Sequence, residues 1–248
     1  MTVPHPPNPP GIAPLVLFVH VPKTAGSTVN HHLAQSGIPG VAHVERWIDD
    51  PGQAQSRIGG LGWISGHVSL PGMQRLAALA RRQARLFTLI RKPGAQVASH
   101  YNWLVEIFHR GESFYNGHPP RIREISERIR SSDNSDPRAI IDNLQRHAGL
   151  FLNQQSRTMI GEDVVALSQA AIGERLATYA HVARDGGIAT LLQAMTGQAP
   201  HPVARVNRST WHLDPGIFRT PALQEFLACE NALDRALHER LALAPPHE

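Results

Sequence analysis

A lysine, a glycine and three hydroxyl side chains occur within six residues, shortly after an apolar run at residues 15–19. Glycine lets the backbone approach a ligand closely, hydroxyl groups donate hydrogen bonds, and lysine adds a positive charge. If a helix follows, its N-terminal amide groups point at the same place and favour an anion. The sequence therefore predicts an anion loop, which consists of Pro22, Lys23, Thr24, Ala25, Gly26, Ser27 and Thr28.

The spacing within the anion loop differs from that of the phosphate loop of nucleoside triphosphatases. In the pattern G-x-x-x-x-G-K-[ST] the lysine follows the second glycine. Here Lys23 precedes Gly26, and no glycine stands where that pattern has its first. The loop is therefore predicted to bind an anion in another way.

A second candidate anion site combines Arg91 and Ser99. Arg91 follows a predicted strand at residues 86–90, and Ser99 lies on a predicted helix that starts just after Pro93. Ligands of open α/β folds collect at the carboxyl ends of the strands, so both side chains can face one ligand there. Lys92 either adds charge to this site or points into solvent.

His67 is the candidate general base. It follows a predicted strand at residues 63–65, and histidine is the side chain best suited to accept a proton near neutral pH. The chain has fifteen histidines, and most of them must have other roles. Among them we choose His67 because it lies in the segment Gly66-His67-Val68, directly after this strand.

The elements that must position these residues alternate between strand and helix. The fully apolar run at residues 15–19 is typical of a parallel strand covered on both faces. A helix with Thr220 as its N-cap and a leucine stripe extends to Leu241. The sequence predicts an α/β fold: a Pro-rich flexible tail at residues 1–13 and a single domain at residues 14–248, with a polar excursion near residues 109–147.

Composition restricts the function classes. The single cysteine, Cys229, excludes an internal disulfide and a cysteine-rich zinc site, and it favours a reducing, cytoplasmic location. The net charge of +4 favours anionic ligands, but no Lys/Arg run indicates nucleic acid. No apolar stretch near the N-terminus is long enough for a membrane span or resembles a signal peptide.

Three of these segments resemble sulfotransferases that use 3'-phosphoadenosine-5'-phosphosulfate, especially the branch with the heparan sulfate 2-O-sulfotransferases. The anion loop is similar to the family's 5'-phosphosulfate loop, P-K-T-A-G-[TS]. Arg91 and Ser99 match the arginine and serine of its 3'-phosphate motif, although the family usually has aspartate where this chain has Lys92. The segment Gly66-His67-Val68 is similar to the G-H-V segment that carries the catalytic histidine.

Two later segments extend the resemblance. The segment at residues 152–157 is similar to an N-x-Q-T/S-R segment that is expected to order the cleft. Residues 206–209 resemble the loop that closes over the 3'-phosphate and adenine side of the donor. The resemblance therefore implies three more donor-binding residues, Arg205, Asn207 and Arg208.

The resemblance implies a P-loop-NTPase-like fold with a central parallel sheet flanked by helices. It also implies transfer of a sulfuryl group to an acceptor hydroxyl without a metal, with 3',5'-adenosine bisphosphate as product, His67 as base and Lys23 stabilising the leaving group. The acceptor stays open, because a carbohydrate, a small metabolite and a lipid head group all fit. The alternatives are a P-loop-like nucleotide kinase or NTPase, and a non-catalytic protein that binds nucleotide or a sulfated polymer.

Overall fold

The computed structural model describes residues 13–198, 206 and 209–243. The predicted tail therefore lies outside the described residues except for residue 13. The strands are β1 (Leu15–Val19), β2 (Gly40–Val41), β3 (Trp63–Gly66), β4 (Ala84–Leu89) and β5 (Tyr179–Ala183). The helices are α1 (Gly26–Gln35), α2 (Pro51–Ile58), α3 (Leu70–Leu79), α4 (Pro93–His109), α5 (Glu112–Asn116), α6 (Pro120–Ser131), α7 (Pro137–Arg146), α8 (Ala148–Phe151), α9 (Gln154–Ile160), α10 (Gln169–Leu176), α11 (Ile188–Thr196), α12 (Pro221–Glu230) and α13 (Ala232–Leu243).

The strands form one parallel sheet in the order β2-β3-β1-β4-β5. All five residues of the central strand β1 are buried, which explains its uninterrupted apolar sequence. Val19 at the end of β1 pairs with Gly66 of β3 and with Thr88 of β4. The carboxyl ends of these strands are therefore level, and the predicted α/β fold with a central parallel sheet flanked by helices is confirmed.

The chain separates into two compact units. The described part of the sheet unit comprises residues 13–90, 155–198 and 206 and contains the whole sheet with α1, α2, α3, α10 and α11. In its core, Phe18 of β1 and Phe87 of β4 pack with Leu33 of α1 and Leu191 of α11. The prediction of a single domain stays a prediction.

The described part of the helical unit comprises residues 91–154 and 209–243. Its core is built on the fully buried face of α4, where Tyr101 and Leu104 pack with Ile129 of α6 and Phe151 of α8. The segment predicted as a polar excursion forms α5, α6 and α7, and α6 and α7 contribute Ile129 and Ile140 to this core.

The C-terminal helix divides into α12 and α13 at Asn231. The side chain of Asn153 donates to the carbonyl oxygen of Glu230 and accepts from the amide groups of Leu233 and Asp234. Asn153 thereby satisfies main-chain groups on both sides of the break. The prediction of one continuous helix missed this break because the leucine stripe continues through it.

Among the described residues, no helix is both long and apolar enough to cross a membrane.

Candidate functional site

The anion loop connects β1 to α1 at the carboxyl edge of the sheet. Lys23 and Ala25 have positive φ angles of 65° and 71°, which non-glycine residues adopt at a cost. Alternation of left-handed and right-handed residues turns successive amide groups toward one concavity, as in anion-binding nests. Helix α1 begins after Ala25 without a side-chain cap among the described residues, so its positive end faces this concavity.

Gly26 is required by the close approach of a histidine ring. A Cβ atom at position 26 would lie 2.0 Å from Cδ2 and 2.1 Å from Nε2 of His20. The ring of His20 therefore occupies the space that any other residue at position 26 would need. Ligand approach was the one reason for this glycine that could be expected from the sequence, and the packing of His20 is a second reason.

The hydroxyl groups of the loop have different roles. Thr24 is buried and its hydroxyl donates to the carbonyl oxygen of Val21 at 2.8 Å, which tightens the turn. Ser27 is exposed. Thr28 is buried, and its hydroxyl donates to the carbonyl oxygen of Val206 and accepts from its amide, both at 3.3 Å.

The contact with Val206 joins the anion loop to the later segment predicted to bind the donor. The three residues of that segment for which binding was predicted lie outside the described residues: Arg205, Asn207 and Arg208.

His67 stands directly after β3, and its ring is held by two contacts with one neighbour, His20. Its Nδ1 lies 2.8 Å from the carbonyl oxygen of His20, and the two rings contact each other in a tilted arrangement, with 4.1 Å between centroids and an interplanar angle of 34°. Because a carbonyl oxygen only accepts, Nδ1 carries the proton in this bond. In the neutral ring, Nε2 then keeps its lone pair.

The electrostatic surroundings favour neutral imidazoles at this edge of the sheet. Burial, followed by the charges of His67, His43 and Lys23, lowers the pKa of His20 well below its ordinary value. His67 keeps an exposed surface, yet desolvation by the surrounding protein lowers its pKa too, while the carbonyl of His20 and the carboxylate of Glu45 act in the opposite direction. Both rings are therefore neutral at neutral pH.

Two residues that the sequence analysis missed complete the surroundings of His67. The amide of His67 donates to Oε1 of Glu45 at 2.7 Å, and Nδ1 of His43 lies 3.6 Å from the same oxygen. One ligand atom from each of His43, Glu45 and His67 lies within 4.8 Å of the other two. The H-x-E spacing two residues after β2, which pairs with β3 in parallel, was the available signal.

Both residues of the predicted second anion site, Arg91 and Ser99, lie in the helical unit. Arg91 follows the last residue of β4 by two positions and is half-buried, and Ser99 is buried on α4. Lys92 is the N-cap of α4 and is exposed. A role of Arg91 and Ser99 in binding a 3'-phosphate stays a prediction.

An open groove of ≈ 540 Å³ lies elsewhere in the sheet unit, along the last turns of α1 and β2. Asn30, Gly40 and Trp63 are among its lining residues, and neither the anion loop nor His67 takes part. The groove is therefore distinct from the candidate site.

No protein-family model and no curated protein matches this chain.

Proposed function

We propose that the protein transfers a sulfuryl group from 3'-phosphoadenosine-5'-phosphosulfate to an acceptor hydroxyl, with the anion loop binding the 5'-phosphosulfate and His67 acting as general base. The proposal rests on the sequence resemblance and on chemistry that the sheet unit can supply.

The observation that carries the proposal is the orientation of His67. The hydrogen bond from Nδ1 to the carbonyl oxygen of His20 fixes the tautomer with a lone pair on Nε2. His67 and the anion loop follow the level ends of the neighbouring strands β3 and β1. A neutral base and an anion-binding loop at one sheet edge are the two parts that an in-line group transfer from an anionic donor needs.

In the proposed reaction, Nε2 of His67 accepts the proton of the acceptor hydroxyl as the oxygen forms a bond to sulfur. The bond between sulfur and the bridging oxygen breaks, and the electron pair leaves with the 5'-phosphate of 3',5'-adenosine bisphosphate. Lys23 and the amide groups of the anion loop stabilise the charge that develops on this leaving group. His67 later returns its proton to solvent.

Specificity for a donor with a 3'-phosphate is assigned to residues outside the anion loop. Arg91 and Ser99 are proposed to bind that phosphate, and an arginine is suited to this role because its guanidinium is permanently charged and donates in pairs. Arg205, Asn207 and Arg208 are proposed to cover the adenine side. The bond between Thr28 and Val206 supports this last assignment because it fastens the segment to the anion loop.

The rival enzyme class is a nucleotide kinase or NTPase. Such enzymes bind Mg²⁺ through a carboxylate near the phosphate loop, whereas β4 is followed by Ile90 and Arg91. Lys23 also stands in a position that differs from the lysine of the nucleotide phosphate loop.

Ligand-dependent thermal unfolding separates these proposals. At a hundred times its dissociation constant, a ligand stabilises the folded protein by about 2.7 kcal/mol. We expect 3',5'-adenosine bisphosphate to raise the melting temperature and Mg-ATP to have little effect, whereas stabilisation by Mg-ATP alone would contradict the proposal.

Sulfuryl transfer itself is measured with labelled donor and a panel of carbohydrate, small-metabolite and lipid acceptors. If 3',5'-adenosine bisphosphate binds but labelled sulfuryl is released neither to an acceptor nor to water, the protein is a binding protein and the catalytic proposal is wrong.

A further inference from the structure

Two imidazoles and a carboxylate converge at the ends of β2 and β3. One ligand atom from each of His43, Glu45 and His67 lies within 4.8 Å of the others. His43 and His67 are exposed and Glu45 is half-buried, so an ion can reach all three from solvent. We propose that this trio is a binding site for a divalent transition metal, with Zn²⁺ as the preferred ion.

The chemistry of the ligands favours zinc over the hard cations. Mg²⁺ and Ca²⁺ take oxygen ligands almost exclusively, whereas imidazole nitrogen suits Zn²⁺ and its neighbours in the first transition row. Two histidines and one glutamate form a known set for zinc sites with an open fourth position. In a tetrahedral site with bonds of about 2.1 Å, neighbouring ligand atoms are about 3.4 Å apart, close to the 3.6 Å between Nδ1 of His43 and Oε1 of Glu45.

The hydrogen bonds of the trio match those of metal ligands. A ligating histidine commonly donates its second ring N–H to a backbone carbonyl, which fixes the tautomer and aims the other nitrogen at the metal. His67 has this arrangement, because Nδ1 donates to the carbonyl oxygen of His20 and Nε2 keeps its lone pair. The carboxylate of Glu45 is held by the amide of His67, and its second oxygen and remaining lone pairs can bind a cation.

The backbone of His43 gives independent support. His43 has a φ angle of 62°, a left-handed conformation that costs free energy for a residue other than glycine and that occurs often at functional sites. With this backbone conformation, Nδ1 of His43 lies 3.6 Å from Oε1 of Glu45, only two residues further along the chain.

Metal binding has a consequence for the reaction, which rests on the proposed function. A zinc ion bound to Nε2 of His67 takes the lone pair that would accept the proton of the acceptor hydroxyl. Zinc and the acceptor proton therefore compete for one nitrogen, and zinc should inhibit sulfuryl transfer reversibly.

The metal site is tested by binding measurements that do not depend on enzymatic activity. The intact protein is freed of metal with a chelator and titrated with Co²⁺, whose visible absorption intensifies in a tetrahedral site, and with Zn²⁺ by calorimetry. We expect one Zn²⁺ per chain to bind through the trio and to displace Co²⁺.

Two variants and a control locate the site. His43→Asn removes one ligand while keeping a residue that tolerates the left-handed backbone, and Glu45→Gln removes the charge while keeping an acceptor for the amide of His67. Each should weaken zinc binding about tenfold or more. His118→Ala removes a histidine of the helical unit and should leave this binding unchanged, which controls for adventitious binding to the other histidines.

Several results would overturn the proposal: no zinc binding to the wild type, equal binding by wild type and both trio variants, or equal weakening by His118→Ala. If zinc binds as expected but no sulfuryl transfer is found under any condition, the metal site stands and the proposed function fails. If transfer is found, the zinc concentration for half inhibition should rise about tenfold or more in His43→Asn relative to wild type.

Discussion

The ring of His67 packs against the ring of His20 at a tilt of 34° and donates from Nδ1 to the carbonyl oxygen of the same residue. Two contacts to one neighbour fix both the plane of the His67 ring and its tautomer. His20 also fills the space above Gly26, so one buried histidine connects the base to the anion loop.

Replacement of His67 by alanine should lower turnover about 10²–10⁴-fold, the usual contribution of a general base. Affinity for 3',5'-adenosine bisphosphate should change little, because His67 contacts the acceptor in the proposed reaction. Initial rates with saturating donor, together with calorimetric binding of the product, separate the two effects. His31→Ala, which removes an exposed histidine of α1, is the matched control, and a His67→Ala turnover within a few-fold of wild type would exclude His67 as the base.

Replacement of Gly26 by alanine should destabilise the sheet unit by about 1–3 kcal/mol, the usual cost of overpacking. The added Cβ would overlap the ring of His20, so the anion loop or the ring must shift and product affinity should fall as well. Urea unfolding measures the first effect and calorimetry the second. Gly59→Ala is the control, because a Cβ there meets nothing within 4 Å and its φ angle is −59°.

The double variant His20→Ala/Gly26→Ala tests whether the clash with His20 causes the loss of stability in Gly26→Ala. If the clash with His20 explains the loss, the double variant should be more stable than the sum of the single changes predicts, by about 1 kcal/mol or more. Additive losses would show that Gly26 is needed for another reason.

The sequence predicted the parts of the site that depend on local patterns. The apolar β1, the turn at Pro22 and the glycine at position 26 are signals within a dozen residues of one another. The trio around His67 depends instead on the parallel pairing of β2 with β3. Because β2 has only two residues, it leaves no periodic pattern that would place His43 and Glu45 beside His67.

The helical unit also has a feature that local sequence patterns do not predict. Its leucine stripe predicted a helix beyond Thr220 correctly, but the end of α12 is set by Asn153, which is 77 residues away from its partner Glu230. A hydrogen bond at such a separation is a tertiary effect, and it overrides the local preference for a continuous helix.

Replacement of Asn153 by alanine should lower the free energy of unfolding by about 1–3 kcal/mol. The variant leaves the partly buried amides of Leu233 and Asp234 without their partner, which accounts for this loss, whereas water can replace the partner of the exposed carbonyl of Glu230. It also places alanine, which rarely adopts a left-handed backbone conformation, at a position with a φ angle of 54°.

Asn153→Gly separates these causes, because glycine accepts the backbone angle and lacks only the side chain. Urea unfolding should show that both variants lose stability relative to wild type. The alanine variant should lose somewhat more than the glycine variant. If the glycine variant is as stable as wild type, the side-chain hydrogen bonds contribute nothing and the break in the helix has another cause.

Tyr101 should make the folded protein sensitive to alkaline pH. Its hydroxyl donates to Asn134 at 2.8 Å and accepts from Asn143 at 3.0 Å, and burial raises its pKa to about 12. Above pH 10 the unfolded chain releases this proton while the folded chain keeps it, so the free energy of unfolding falls as pH rises from 10 toward 12. One pKa unit corresponds to about 1.4 kcal/mol, so the loss from Tyr101 should approach about 3 kcal/mol.

The measurement compares wild type with Tyr101→Phe by urea unfolding at pH 8 and at pH 11. Phenylalanine removes both hydrogen bonds, so the variant is less stable at pH 8, but it has no proton to lose. The difference in stability between the two proteins should therefore shrink at pH 11, while the contribution of Tyr179 is common to both and cancels. A difference that stays constant or grows between the two pH values would show that Tyr101 does not keep its proton in the folded state.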